Sequence, residues 1–149
     1  MPMNTLLTPL PKSPPLPRYA TRLLGAGLAA TAYVVCLPWD LRNRAGTPGA
    51  INETSPVTAL GLTTFVLALV LLSAYFGLRD RPVWTLLVTA APPSTLMFFS
   101  FDTHPTPDAD AWQLAWAFFA LLMGVGVLVV GALAARFGER GDTGTAQDG

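Results

Sequence analysis

The chain has 149 residues, of which 52% are hydrophobic and only 12% are charged, and its formal net charge is zero. Soluble domains usually carry about 25% charged residues because their surfaces must be hydrated, so this composition excludes an ordinary soluble domain. A chain without net charge has no overall attraction to nucleic acid, and we expect no nucleic-acid partner. The single cysteine, Cys36, excludes an internal disulfide.

Four long apolar stretches dominate the sequence, and no charged side chain lies near the middle of any of them. They cover residues 19–37, 57–78, 82–101 and 111–137. At about 1.5 Å per residue, a helix of about 20 residues crosses the hydrocarbon core of a bilayer, which is about 30 Å thick. The sequence therefore predicts an all-α membrane protein, in which residues 18–137 form four transmembrane helices packed as an antiparallel bundle in the lipid bilayer.

The N-terminal tail, residues 1–17, contains six prolines. Proline fixes φ and has no amide donor, so we expect this tail to be extended and disordered. The first apolar stretch then follows Arg18 and Arg22, a basic start that also suits a signal peptide cleaved at Ala30-Thr31-Ala32. Because the apolar run continues through Val35, the pattern favours an uncleaved first span.

Small residues recur about one helical turn apart in the first and fourth stretches. In lipid, such residues allow helix backbones to approach closely. We expect them to form helix contacts, either within one bundle or between two chains. The predicted helix-packing residues are Gly25, Gly27, Ala29, Gly124, Gly126 and Gly131.

The second and third stretches are separated only by the turn Arg79-Asp80-Arg81. Pro82 follows, and proline is favourable at the first position of a helix. Near the middle of the third stretch, Pro92-Pro93 removes the amides that would reach the carbonyls four residues back, so the third helix is predicted to be kinked there.

The kink has two interpretations. A broken helix can line a small polar cavity at mid-membrane, which makes the polar and proline residues around the break candidate ligand-binding residues. These are Thr89, Pro92, Pro93, Ser94 and Thr95. Alternatively, the prolines form a packed kink that only shapes the bundle. No charged residue accompanies the break, whereas ion-coupled carriers usually place one inside the membrane.

The loop of residues 102–110 contains the only histidine, His104, together with Asp102, Asp108 and Asp110. Imidazole and carboxylates can hold a divalent cation, but one histidine among scattered carboxylates is more typical of a solvated acidic loop. We expect no metal site and no cofactor. The chain also has none of the phosphate-binding, metalloprotease or serine-hydrolase motifs, so no catalytic residue is predicted and the protein is expected not to be an enzyme.

The distribution of basic residues predicts the orientation. If the spans alternate in direction, one side of the membrane carries Lys12, Arg18, Arg22, Arg79, Arg81, Arg136 and Arg140. The other side carries only Arg42 and Arg44. Basic loops stay in the cytoplasm, so both termini are predicted to be cytoplasmic, including a second disordered tail at residues 138–149. An excess of arginine over lysine suits a bacterial protein of the inner (plasma) membrane.

These features leave two expectations for function. The first is a non-enzymatic accessory, assembly or regulatory subunit that acts through helix–helix contacts, with a membrane-protein partner or with a second copy of itself. The second is a small oligomeric transporter or channel that uses the broken third helix to pass a neutral or apolar solute.

Overall fold

A computed structural model describes residues 8–49, 51–104 and 111–144. The predictions for residues 1–7, 105–110 and 145–149, Asp108 and Asp110 among them, therefore lie outside the described residues. The helices are α1 (Pro15–Cys36), α2 (Ala59–Arg79), α3 (Pro82–Thr89), α4 (Ala91–Thr103) and α5 (Trp112–Gly144). A short 3₁₀ helix, Leu10–Lys12, precedes α1, and two-residue strands β1 (Arg44–Ala45) and β2 (Glu53–Thr54) lie between α1 and α2.

Four segments of the described chain are long and apolar enough to cross a membrane. They are α1, α2, the combined segment Pro82–Thr103 formed by α3 and α4, and the Trp112–Glu139 part of α5. The four pack against one another, and their outer surfaces expose many leucine, valine and phenylalanine side chains. This confirms the prediction of a mainly helical fold with four long apolar helices.

The N-terminal segment is more ordered than the prediction of an extended tail through residue 17. Helix α1 begins at Pro15. Proline is tolerated in the first turn because the amide that it lacks would have no helical partner there in any case. The preceding 3₁₀ helix is held by Leu10, which is 1% exposed and belongs to a core cluster with Phe76 and Val88. A buried apolar anchor thus orders residues that composition alone assigns to a tail.

Helix α5 also extends beyond its predicted end at residue 137. It reaches Gly144 and comprises 33 residues, which corresponds to about 50 Å. Residues 138–144 were expected to belong to a disordered tail, but they continue the helix. Since the hydrocarbon core is about 30 Å thick, α5 is long enough to project from it.

The third apolar segment is interrupted at Ala90, two residues before the proline pair. Helix α3 ends at Thr89 and α4 begins at Ala91, so Pro92 and Pro93 fall in the first turn of α4. First-turn positions tolerate proline. The helix is therefore interrupted ahead of the prolines and not, as predicted, at them. The amides of Ala90 and Ser94 still bond the carbonyls four residues before them, at 2.9 and 3.1 Å.

The main core lies where α1, α2 and α4 meet. The rings of Tyr33 and Phe65 meet edge to face, with centroids 5.9 Å apart. The other buried members of this cluster are Ala29, Leu37, Leu69 and Met97. At the same end, the hydroxyl of Ser100 donates to the carbonyl of Trp39. These contacts join the end of α1 to the end of α4.

The connection between α1 and α2 is organised by Asp40. Its carboxylate accepts hydrogen bonds from the backbone amide of Arg42 at 3.1 Å and from the guanidinium of Arg42 at 2.9 and 3.0 Å. The guanidinium of Arg44 also donates to it. The hydrogen bonds from Arg42 hold the pKa of Asp40 well below its ordinary value, so the carboxylate stays charged and fixes the start of the small hairpin.

Candidate functional site

The small residues predicted in the first span separate into inward and outward positions. Gly25 is buried, and a Cβ atom added to it would lie 2.8 Å from a methyl group of Val88 and would overlap the ring of Phe76. Ala29, one turn further, is fully buried. Gly27 is exposed, and a Cβ atom there would meet nothing within 4 Å.

The fourth span shows the same division. Gly131 is buried, and a Cβ atom on it would lie 3.3 Å from the methyl group of Thr85. A Cβ atom added to Gly124 would lie 3.4 Å from a methyl carbon of Leu86. Gly126 is exposed, and a Cβ atom there would meet nothing within 4 Å. The bundle therefore uses some of the small residues for its own packing and leaves Gly27 and Gly126 unused.

A close contact between α2 and α5 involves a glycine that was not predicted from the sequence. A Cβ atom added to Gly77 of α2 would lie 2.5 Å from the Cα atom of Gly131 in α5. Backbone therefore touches backbone at this point. Ser73 lies four residues before Gly77, so a small-xxx-small pattern on α2 was present in the sequence as a signal for this contact.

The residues around the helix break do not all face one way. Thr89 and Pro93 are buried, Pro92 and Ser94 are half-buried, and Thr95 is exposed. The hydroxyl of Thr95 donates to the carbonyl of Ala91 at 2.9 Å, which satisfies it without a ligand. The structure thus divides the predicted ligand-binding set between the core and the outer surface.

Two members of this set form the polar part of the break. The Thr89 hydroxyl is buried and has no hydrogen-bond partner among the described residues. The carbonyl of Ser94 accepts a hydrogen bond of 2.8 Å from the indole nitrogen of Trp116, which connects α4 to α5. The hydroxyl of Ser94 also donates to the sulfur of Met123 in α5 at 3.8 Å. Two polar contacts therefore join the break to α5, and the buried hydroxyl of Thr89 lies beside it.

A buried ion pair, not foreseen from the sequence, joins α1 to the turn between α2 and α3. The guanidinium of Arg22 donates through Nε and Nη2 to the two carboxylate oxygens of Asp80, at 2.7 and 2.8 Å. The side chains are 8% and 0% exposed. The amide of Arg81 adds a third bond to Asp80 at 2.9 Å. Such bidentate, charge-assisted bonds are strong and directional.

Aromatic rings surround this ion pair. The guanidinium carbon of Arg22 lies 3.8 Å from the ring centre of Trp84 and 5.9 Å from that of Tyr19. The guanidinium carbon of Arg18, one turn earlier, lies 5.2 Å from the same Tyr19 ring. These distances are within the range of cation–π attraction. We call Arg18, Arg22, Arg79 and Arg81 the arginine cluster.

Arg79 connects the arginine cluster to the N-terminal segment. Its Nε donates to the carbonyl of Thr8 at 3.0 Å, and its Nη1 donates to the hydroxyl of Tyr75. The residue is 7% exposed. This contact and the burial of Leu10 place residues 8–12 against the same end of the bundle as the ion pair.

A cleft of about 80 Å³ opens beside the ion pair, between α2, α3 and α5. Its lining consists of Gly77, Asp80, Pro82, Thr85, Leu128, Gly131, Ala132 and Ala135. None of the predicted ligand-binding residues belongs to this lining, although the predicted packing residue Gly131 does. The cleft is mostly apolar, and Asp80, its one charged residue, is already neutralised by Arg22.

The predicted acidic loop is described only as far as His104. The Nδ1 atom of His104 lies 3.0 Å from the hydroxyl of Thr103 and 3.3 Å from the carbonyl of Ser100. Within the described residues, no three of the histidine, cysteine, aspartate and glutamate side chains come together as a metal ion would require. Asp108 and Asp110 lie outside those residues.

Comparison of the chain with known protein families, with characterised proteins and with solved structures finds no match.

Proposed function

We propose that the chain is an integral membrane protein of the bacterial inner membrane, with four spans in an antiparallel bundle and both termini in the cytoplasm. It acts without catalysis, as an accessory, assembly or regulatory subunit that contacts another membrane protein or a second copy of itself.

Contacts at the two ends of the bundle support the alternating direction of the helices. Arg22, near the start of α1, meets Asp80 at the end of α2, and Ser100, near the end of α4, meets Trp39 just after α1. The basic residues of the arginine cluster share one end, as the rule for cytoplasmic basic segments requires. Trp39 and Trp84 lie at opposite ends, where indole rings favour the two membrane interfaces.

The outward position of Gly27 is the observation that carries the functional proposal. Its neighbour one turn further, Thr31, is also exposed and donates its hydroxyl to the Gly27 carbonyl at 2.7 Å. The polar groups of this patch on α1 are therefore hydrogen-bonded to each other. Within a membrane, another helix can approach such a flat patch closely. Gly25, on the other side of the same helix, is occupied by the chain's own packing, so the two glycines serve different contacts.

Substitution of Gly27 tests this proposal. Gly27→Leu places a side chain in open space, so the bundle should fold as before, whereas a helix docked on the patch should be displaced. The assay is co-purification from native membranes in mild detergent, together with differently tagged copies to detect self-association. Leu28→Ala on the exposed side of α1 is the matched control and should retain the partner. Loss of the partner in both variants, or in neither, would contradict the assignment to this patch.

A transporter or channel for a neutral or apolar solute is the second candidate, and one observation favours it. The buried hydroxyl of Thr89, which has no hydrogen-bond partner in the described part of the chain, lies beside the interruption at Ala90. Pro92 and Pro93 bring no amide to the carbonyls of Val88 and Thr89, so this point is polar within an apolar segment. Water or a small neutral solute could satisfy these groups.

The two candidates are separated by the proline pair. Combined Pro92→Ala and Pro93→Ala should leave partner binding at Gly27 unchanged if the protein is a subunit. If solute flux into liposomes is abolished by this variant while the bundle stays folded, the transporter is the correct function.

A further inference from the structure

The arginine cluster has more positive charge than its own contacts neutralise. Asp80 is the carboxylate bonded within it, and both of its oxygens are taken by Arg22. Arg79 has contacts of its own, among them the bond to the carbonyl of Thr8, and is not counted here. Arg18 and Arg81 each add a further positive charge, so this end of the bundle is strongly cationic.

Arg18 is the residue that points to a ligand. Its Nε atom is shielded from solvent and meets no acceptor in the part of the chain that the structure describes. A buried, charged N–H group without an acceptor is costly. Arg22 is one turn away on the same helix, and its Nη1 takes no part in the two bonds to Asp80. Both guanidiniums lie within 6 Å of the ring centre of Tyr19.

The surroundings of the two arginines define the kind of ligand. Leu16, Tyr19 and Leu23 are 81%, 50% and 74% exposed, so apolar surface continues directly from the guanidiniums along α1. Trp84 and Tyr19 have the amphipathic rings that favour the headgroup level of a membrane. A ligand that fits here carries an anionic group at one end and hydrocarbon at the other.

We propose that Arg18 and Arg22, flanked by Tyr19 and Trp84, bind the phosphate group of an anionic phospholipid, whose acyl chains lie along the exposed face of α1. The phosphate oxygens match the planar guanidinium of Arg18 and supply acceptors for its N–H groups. Net negative charge on the lipid is required because the cluster retains an excess of positive charge after Asp80 is paired. Basic pockets between transmembrane helices are known to suit such headgroups.

This proposal requires the membrane insertion put forward above but no partner protein. The test uses the full chain in mild detergent, with dioleoylphosphatidylglycerol and dioleoylphosphatidylcholine added in equal amounts, and native mass spectrometry to count the bound lipids. We expect phosphatidylglycerol to bind preferentially. Arg18→Gln should weaken the binding of phosphatidylglycerol about fivefold, the factor equivalent to about 1 kcal/mol for one basic residue near a membrane surface. The affinity of Arg18→Lys should lie between those of the wild type and Arg18→Gln.

Arg44→Gln, which removes a positive charge from the opposite end of the bundle, is the matched control and should leave lipid binding unchanged. An equal effect of Arg18→Gln and Arg44→Gln, or equal binding of the two lipids, would overturn the site. Inorganic phosphate at millimolar concentration should not displace phosphatidylglycerol, and full displacement would identify a soluble anion as the ligand instead. A chain that remains in membranes but shows no lipid preference refutes this site and leaves the subunit proposal intact.

Bromine-labelled phosphatidylglycerol in phosphatidylcholine vesicles gives a second readout, without detergent. The measured fluorescence comes from Trp84 together with Trp39, Trp112 and Trp116. Because Trp84 stacks on Arg22, bound lipid should quench this total fluorescence more in the wild-type chain than in Arg18→Gln. Unchanged quenching in the variant would count against the site. Helical content by circular dichroism and the elution volume of Arg18→Gln should match the wild type, since the Arg22–Asp80 pair is left in place.

Discussion

Gly77→Ala is the sharpest probe of how the bundle is held together. The added methyl group would lie 2.5 Å from Gly131 Cα, although real Cβ contacts stay beyond 3.0 Å. The opposing atoms belong to the backbone, so α2 and α5 must move apart. Overpacking of this kind costs about 1–3 kcal/mol, and the higher helix propensity of alanine returns about 1 kcal/mol. We therefore expect a net loss of up to about 2 kcal/mol in the free energy of unfolding.

The assay is equilibrium unfolding in mixed micelles with increasing dodecyl sulfate, followed by tryptophan fluorescence. Gly126→Ala is the matched control, because a Cβ atom at Gly126 meets nothing within 4 Å. It should retain wild-type stability or gain up to about 1 kcal/mol from helix propensity. Equal stability of the two alanine variants would refute the close approach of α2 and α5.

Three further predictions concern the ion pairs and the orientation. Asp80→Asn should cost about 3 kcal/mol in the same unfolding titration, because Arg22 is left buried without its counter-charge; adding Arg22→Met should restore most of the loss. Because the folded chain lowers the pKa of Asp40, the ionised carboxylate stabilises its turn at pH values above the ordinary carboxyl pKa. This stabilisation should disappear only as the pH falls through the lowered pKa, which NMR of the carboxyl carbon and of the Arg42 amide would follow. Thr103→Cys in a Cys36→Ala background should react with an impermeant maleimide added to intact spheroplasts, and protection until the membrane is permeabilised would contradict cytoplasmic termini.

The long apolar helices could be predicted because their signal is local. A run of about 20 apolar residues has the length of a membrane span wherever it occurs, so no knowledge of tertiary contacts is needed. The boundaries were less predictable, because they depend on such contacts. Leu10 orders the N-terminal segment by packing against Phe76 and Val88, residues that are far away in sequence.

The ion pair shows why the rest of the site could not be read from the sequence. Arg22 and Asp80 are 58 positions apart, and each looks like an ordinary charged residue near the end of an apolar segment. Only packing brings them together. A carboxylate between two arginines, directly beside apolar helices, was nevertheless a usable signal, because a charged group that packing buries requires a partner.

The position of the helix break has a similar explanation. The proline pair marks the right region, but the ladder ends at Ala90 because first-turn positions of a new helix accommodate both prolines. For the glycines, spacing identifies residues that permit close approach but not the face that a neighbouring helix occupies. This is why Gly25 and Gly27 look alike in the sequence and differ in the structure.

Extraction of membranes with alkaline carbonate tests the central claim most directly. The full chain, expressed in bacteria and detected by a C-terminal tag, should stay with the carbonate-washed membrane pellet and enter solution only when detergent is added. Recovery of the chain as a monomer in the detergent-free supernatant would contradict insertion of the four helices into lipid.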